Sequence, residues 1–193
     1  MGAAGIGLVA GLGLAAAVLT GDDGPPPAVV PVPGTVVAIA TPPAVLGPAG
    51  ALDVDGWLNT EARSLDAARG RVTVVHFWAL DCGDCTDMTP ALGALLSEYG
   101  AAGLQVVSVH SPRFDHERDD GAVILAADAL AMTWPIALDH RGRSLDTWQG
   151  ERAFLPRTYV VDANGQIRYN RVGNGDIDVL ESTVAWLLAN GGA

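Results

Sequence analysis

The chain has 193 residues, 49% hydrophobic and 17% charged, enough for one sizeable buried core. Its net charge is -11 and its eleven basic residues are all arginines, scattered along the sequence. No basic face is available to neutralise phosphates, so a nucleic-acid partner is disfavoured. Only two cysteines occur, Cys82 and Cys85, too few for a disulfide-dense scaffold or a four-ligand zinc site.

Residues 1–21 read as an export signal or membrane anchor. Ala3 to Leu19 is apolar and no charge occurs before Asp22. The stretch lacks a leading Lys or Arg and is rich in glycine, so a disordered Gly/Ala tail is the alternative. Ala15-Ala16-Ala17 offers small residues for cleavage. Residues 22–50 are proline-rich and are expected to form a semi-rigid spacer. The folded domain is expected over 51–193.

Within that domain, Trp57 to Asn59 is expected as a short leading strand, and Ser64 to Ala68 as one helical turn. Val72 to Ala79 is a near-continuous apolar run that suits a central strand covered on both faces. A helix is expected over Gly83 to Tyr99, with Pro90 inside it, stopped by Gly100 and Gly103. Leu104 to Val109 is a second buried strand. A helix is predicted over Glu117 to Met132, and strands over Pro135 to Leu138 and Thr158 to Asp162. Asn164-Gly165 predicts a two-residue hairpin turn, with Gln166 to Val172 returning antiparallel. Asp176 to Asn190 closes the chain as a helix, with Asp178 and Glu181 spaced as in a capping box. The order predicts an α/β fold: a parallel β-α-β-α-β half followed by an antiparallel β-β-α half, in one mixed sheet flanked by helices.

Cys82-Gly83-Asp84-Cys85 lies between the central strand and its helix. A thiolate at a helix N-terminus is stabilised by unpaired N–H groups and the helix dipole. Cys82 occupies that place, and Cys85 lies one turn further in. The pair therefore reads as attacking thiolate and resolving thiol. Two inert buried cysteines, or half a metal site, are the alternatives.

FWALDCGDCTDMTP resembles the active-site segment of the thioredoxin superfamily. WLNT, RVTVVHFW, VVSVHSPRF and LPRTYVVDANGQIRY follow in the order found in its extracytoplasmic TlpA-like branch, including the thioredoxin-like domains of DipZ-type and NHL-repeat proteins. The resemblance covers roughly Trp57 to Leu188. It implies a thioredoxin-like fold and a thiol–disulfide oxidoreductase with Cys82 and Cys85 as its redox-active disulfide and no bound cofactor. It also implies a cis bond between Leu155 and Pro156, with Leu155 main-chain groups pairing with a substrate strand. Trp78, before the cysteines, completes the candidate substrate side and is expected to pack beneath the cysteine turn. Trp148 and Phe154 are candidates for a docking rim, with ordinary packing expected of Trp148.

The departures from the family bear on chemistry. His76 stands where thioredoxins carry a buried aspartate. It is a candidate proton acceptor for Cys85, although a satisfied core histidine is the plainer reading. Asp81 and Asp84 flank Cys82, and their charges are expected to disfavour its thiolate and make the pair reducing. His110 ends the second parallel strand, where it would either offset those aspartates or cap the strand by hydrogen bonding. His116 and His140 are assigned no role. The expected partners are protein thiols and disulfides, with an electron-transfer partner in the membrane. A copper-handling factor using Cys82, Cys85 and His110 or His140 is the alternative. The short cysteine spacing argues against it. A peroxidase ranks lower, because peroxidases of related fold place a lone nucleophilic cysteine in a different context.

Overall fold

A computed structural model describes residues 41–61, 69–150 and 152–192. The expected leader, most of the spacer and the turn at Ser64 to Ala68 lie outside the described residues.

Among the described residues one seven-stranded sheet runs β1-β7-β6-β3-β4-β5-β2. The strands are β1 (Gly47–Pro48), β2 (Gly56–Leu58), β3 (Thr73–Trp78), β4 (Gln105–His110), β5 (Ile136–Leu138), β6 (Arg157–Val161) and β7 (Gln166–Val172). The helices are α1 (Gly83–Tyr99), α2 (Asp120–Ala129), α3 (Arg143–Gln149) and α4 (Ile177–Ala189). β3, β4 and β5 pair in parallel, with β6 and β7 antiparallel beyond β3. This is the mixed sheet expected from the sequence.

β3 sits at the centre because each of its six residues is buried. Its side chains alternate between two cores. Val74 and Trp78 join Met88, Leu92, Val123, Val184 and Leu187 of α1, α2 and α4 on one face. Val75 and Phe77 join Tyr159 and Val161 on the other, under Leu145 and Trp148 of α3. There Phe77, Trp148 and Tyr159 form an aromatic cluster with centroids 4.9–5.9 Å apart, so Trp148 packs as expected.

Several boundaries differ from expectation. The proline-rich spacer was expected to reach residue 50, but Gly47 and Pro48 pair with Ile167 and Gln166 as an edge strand. The helix expected from Glu117 starts at Asp120 instead, because the Asp119 carboxylate caps it by accepting the Ala122 N–H at 2.8 Å. Residues Asp115–Arg118 form a separate 3-10 turn. The Asn-Gly turn is not a two-residue hairpin. The Gly165 N–H bonds to the Asp162 carbonyl and the Asp162 N–H to the Gln166 carbonyl, with Gly165 alone of the two at positive φ (78°). That is a type I turn closed by a glycine bulge. Asp162 Oδ1 fastens it by accepting the N–H groups of Asn164 and Gln166, both at 2.9 Å. The closing helix has no capping box: its N-cap is Asp176, in left-handed conformation, and Glu181 instead accepts the Tyr99 hydroxyl at 3.4 Å. Helix α3 was not anticipated.

Candidate active site

The parallel strands end in loops that converge on the start of α1. Cys82 is the N-cap of α1 in extended conformation (φ -135°, ψ 93°). Its carbonyl accepts the N–H groups of Cys85 at 3.0 Å and Thr86 at 3.3 Å. The Cys82 side chain itself makes no cap hydrogen bond to the helix. Cys82 and Cys85 are joined in a disulfide with their Cα atoms 5.2 Å apart. Cys82 is 7% exposed and Cys85 1%. The sulfur at the helix tip is therefore the one nearer solvent, and its partner lies in the core. Helix α1 runs on through Pro90, which faces solvent, while Met88, Leu92 and Leu95 hold its inner side.

The Leu155–Pro156 peptide bond is cis, as expected. Leu155 is half-buried and packs against the core that contains both cysteines. Phe154, just before it, is 56% exposed. Trp78 is 2% exposed and belongs to the same core as both cysteines, so it is not part of the outer surface. His110 lies against it edge-on, with ring centroids 5.1 Å apart.

His76 is buried, and its Nδ1 is 3.0 Å from the Thr158 hydroxyl across the β3–β6 pair. Among the described residues its Nε2 has no hydrogen-bond partner. The half-satisfied ring shares a strand face with Val74 and Trp78. Burial pushes its pKa from 6.5 down to about 4, so it is neutral near pH 7. Neither ring nitrogen of His110 finds a partner among the described residues, so it does not cap the strand by hydrogen bonding there. Burial dominates there too, moving its pKa down to about 4 against the opposing pull of Glu117.

Asp81 and Asp84 are both exposed beside the pair. Asp81 does not stand alone. Its Oδ2 is 2.8 Å from Nε2 of His116, a residue given no role from sequence. His140, named only in the copper-handling alternative, pairs with Asp120 at 2.8 Å.

Sequence reasoning missed Glu117. Its side chain is fully buried. Oε1 accepts the Asp81 N–H at 2.8 Å, and Oε2 accepts the N–H groups of Phe114 at 3.1 Å and of Arg113. Burial alone would raise its pKa, but these donors outweigh it and hold the carboxyl below the usual glutamate value. The one available signal was an acidic residue just ahead of an apolar helical run, which reads equally well as first-turn helix charge. A second buried carboxylate, Asp139, accepts the Ser111 hydroxyl at 3.0 Å and the N–H groups of Ser144 and Leu145, tying the end of β5 to α3. Among the described residues, no three His, Cys, Asp or Glu side chains are grouped to hold a metal ion. The copper-handling reading is not favoured.

A cysteine pair closed at the head of a helix, on a central strand of a mixed sheet, defines a thioredoxin-like thiol–disulfide oxidoreductase. The chain belongs to the AhpC/TSA family, whose model matches residues 50–170. It is 35% identical over 139 residues to protein DipZ of Mycobacterium bovis, a match covering 70% of this chain and 20% of DipZ. Thiol-disulfide oxidoreductase YkuV of Bacillus subtilis is 31% identical over 133 residues, 69% of this chain and 88% of YkuV. A thioredoxin-like protein solved in solution in its oxidized form superposes with a TM-score of 0.66 at 30% identity, covering 75% of this chain and 96% of that one.

Proposed function

We propose that the chain is a reducing thiol–disulfide exchanger, with Cys82 the attacking thiolate and Cys85 the resolving thiol. In the reduced protein, Cys82 Sγ attacks one sulfur of a substrate disulfide, and the other substrate sulfur leaves as a thiolate. Cys85, deprotonated in turn, attacks Cys82 Sγ and frees the second substrate sulfur. Two electrons pass to the substrate, and the Cys82–Cys85 disulfide forms. The observation that carries this division of roles is the position of Cys82 at the tip of α1, nearer solvent than Cys85. Leu155 main-chain groups and the exposed Phe154 ring are the substrate side of the reading.

The reducing direction rests on Asp81 and Asp84, whose charges oppose a thiolate at Cys82. The reaction needs no bound cofactor, but it does need an upstream donor to reduce the disulfide again. Placement outside the cytoplasm, tethered by residues 1–21 and recharged through a membrane partner, is supported by the apolar stretch Ala3 to Leu19 and the resemblance to TlpA-like domains. Among the described residues, no helix is long and apolar enough to cross a membrane.

The test is the reduction potential of the full-length chain, equilibrated in thiol buffers with alkylated thiols counted by mass. A value near that of thioredoxin, about -270 mV, supports a reductant. A value near about -120 mV, typical of strong oxidants, overturns the direction.

A further inference from the structure

We propose that Glu117 is a positioning residue of the redox site: its carboxylate holds the loop that presents Cys82, and its charge disfavours the Cys82 thiolate and so makes the pair more reducing. This rests on the exchange reading above and adds a determinant to it.

The geometry begins with Asp81, the residue directly before Cys82. Its N–H is bound by Glu117 Oε1 at 2.8 Å, while Oε2 binds the N–H groups of Arg113 and Phe114 in the loop after β4. One carboxylate therefore fastens two loops at the same end of the sheet. The 3-10 turn at Asp115–Arg118 returns residue 117 towards the core, which a continuous helix from Glu117 would not do. The guanidinium of Arg113 lies over the Phe114 ring, 5.6 Å from its centroid. The charge of Glu117 is thus met by backbone dipoles. Buried away from solvent, such a charge is poorly screened and acts strongly on its neighbours. The titratable groups around it are Asp81 with its partner His116, Arg113, and the buried His110, which itself lies near His140 and Asp120.

The chemical consequence follows from the sign. The disulfide carries no charge, whereas reduction followed by ionisation places a negative charge on Cys82. A fixed negative charge bonded to the preceding peptide opposes that ionisation. The reduced form loses stabilisation, and the equilibrium moves towards the disulfide.

The test compares the full-length chain with Glu117→Gln and Glu117→Asp. Reduction potentials are read in thiol buffers, and the Cys82 ionisation from the pH dependence of its alkylation by iodoacetamide. In Glu117→Gln we expect Cys82 to alkylate about fivefold faster at mildly acidic pH, with the redox equilibrium, read at a pH above the Cys82 ionisation, shifted towards the dithiol by a similar factor. Glu117→Asp keeps the charge and should stay within about twofold of wild type on both readouts. An unchanged Glu117→Gln, or a Glu117→Asp that moves as far as Glu117→Gln, overturns the role of the charge. If Glu117→Gln does not fold, the wild type decides. With glutamate labelled at the carboxyl carbon, the Glu117 resonance of the reduced protein should inflect at the pH where Cys82 ionises, and that of the disulfide form should not. No inflection overturns the proposal. If the wild-type pair never exchanges with thiols, the exchange reading falls and this inference with it. If it exchanges while the Glu117 readouts stay still, only the inference falls.

Discussion

Two neutral histidines in the core make the fold sensitive to mild acid. His76 and His110 are both buried, and burial lowers each pKa from 6.5 to about 4. In the unfolded chain both take up a proton near pH 6.5, whereas the folded protein refuses it until about pH 4. The stabilising contribution is therefore complete above pH 6.5 and is lost as the pH falls from there towards 4. At about 1.36 kcal/mol per pH unit, each histidine contributes about 3 kcal/mol across that window. Domains are stable by only about 5–15 kcal/mol, so two such groups decide acid tolerance. The assay is urea unfolding of the oxidised full-length chain between pH 4.5 and 7, with the cysteines held in their disulfide. Midway through the window the wild type should lose stability at about 2.7 kcal/mol per pH unit, and His76→Phe at about half that slope. A wild type whose stability is flat from pH 6.5 to 5, or a His76→Phe slope equal to the wild type's, would refute the reasoning.

The remaining expectations concern the site and its support. Cys85→Ser should accumulate a mixed disulfide between Cys82 and a model substrate, seen by mass, whereas Cys82→Ser should form none; trapping on Cys85 would reverse the assigned roles. Leu92→Ala, at a fully buried position on α1, should cost about 2–5 kcal/mol in urea unfolding. Asp162→Ala should cost about 3–5 kcal/mol, because it leaves the buried Arg168 guanidinium, now 2.7 Å from that carboxylate, with the neutral Pro43 carbonyl in place of an opposite charge, and also unfastens the β6–β7 turn. Trp134→Phe leaves the buried Ser108 hydroxyl without the indole N–H it now accepts at 2.8 Å, and should lower stability by about 1–3 kcal/mol.

The central strand and the cysteine helix were legible because their signals are local. Val72 to Ala79 is too apolar to face water on either side, and the 83–99 helix carries its apolar residues at helical spacing. Elements that depend on distant partners were not legible. Gly47–Pro48 is a strand only because Ile167 and Gln166 accept it. Helix α3 is short, and much of its inward anchoring comes from Asp139, a residue outside it. The hairpin was misread because Asn-Gly fits a two-residue turn, while the Asp162 carboxylate selects a longer one. At the site, Cys82, Cys85 and the Leu155–Pro156 bond could be placed from the chain. Glu117 could not, because nothing in HERDD says which of its acids turns inward. His116 gained a partner only when the loop brought it to Asp81.

The short strands at the two margins of the sheet also govern how copies of the protein meet. β1 has two residues, one of them a proline without an N–H to offer, and β2 has three. Strand margins invite polymerisation when they are long, flat and rich in free backbone donors. Among the described residues β1 and β2 are too short to present a ladder of their own, and where β1 stops, the edge of β7 carries the exposed Asn170 and Arg171. The sheet is thereby guarded against edge-to-edge growth at high concentration, and that protection depends on neither the redox state of Cys82 and Cys85 nor the net charge of the chain.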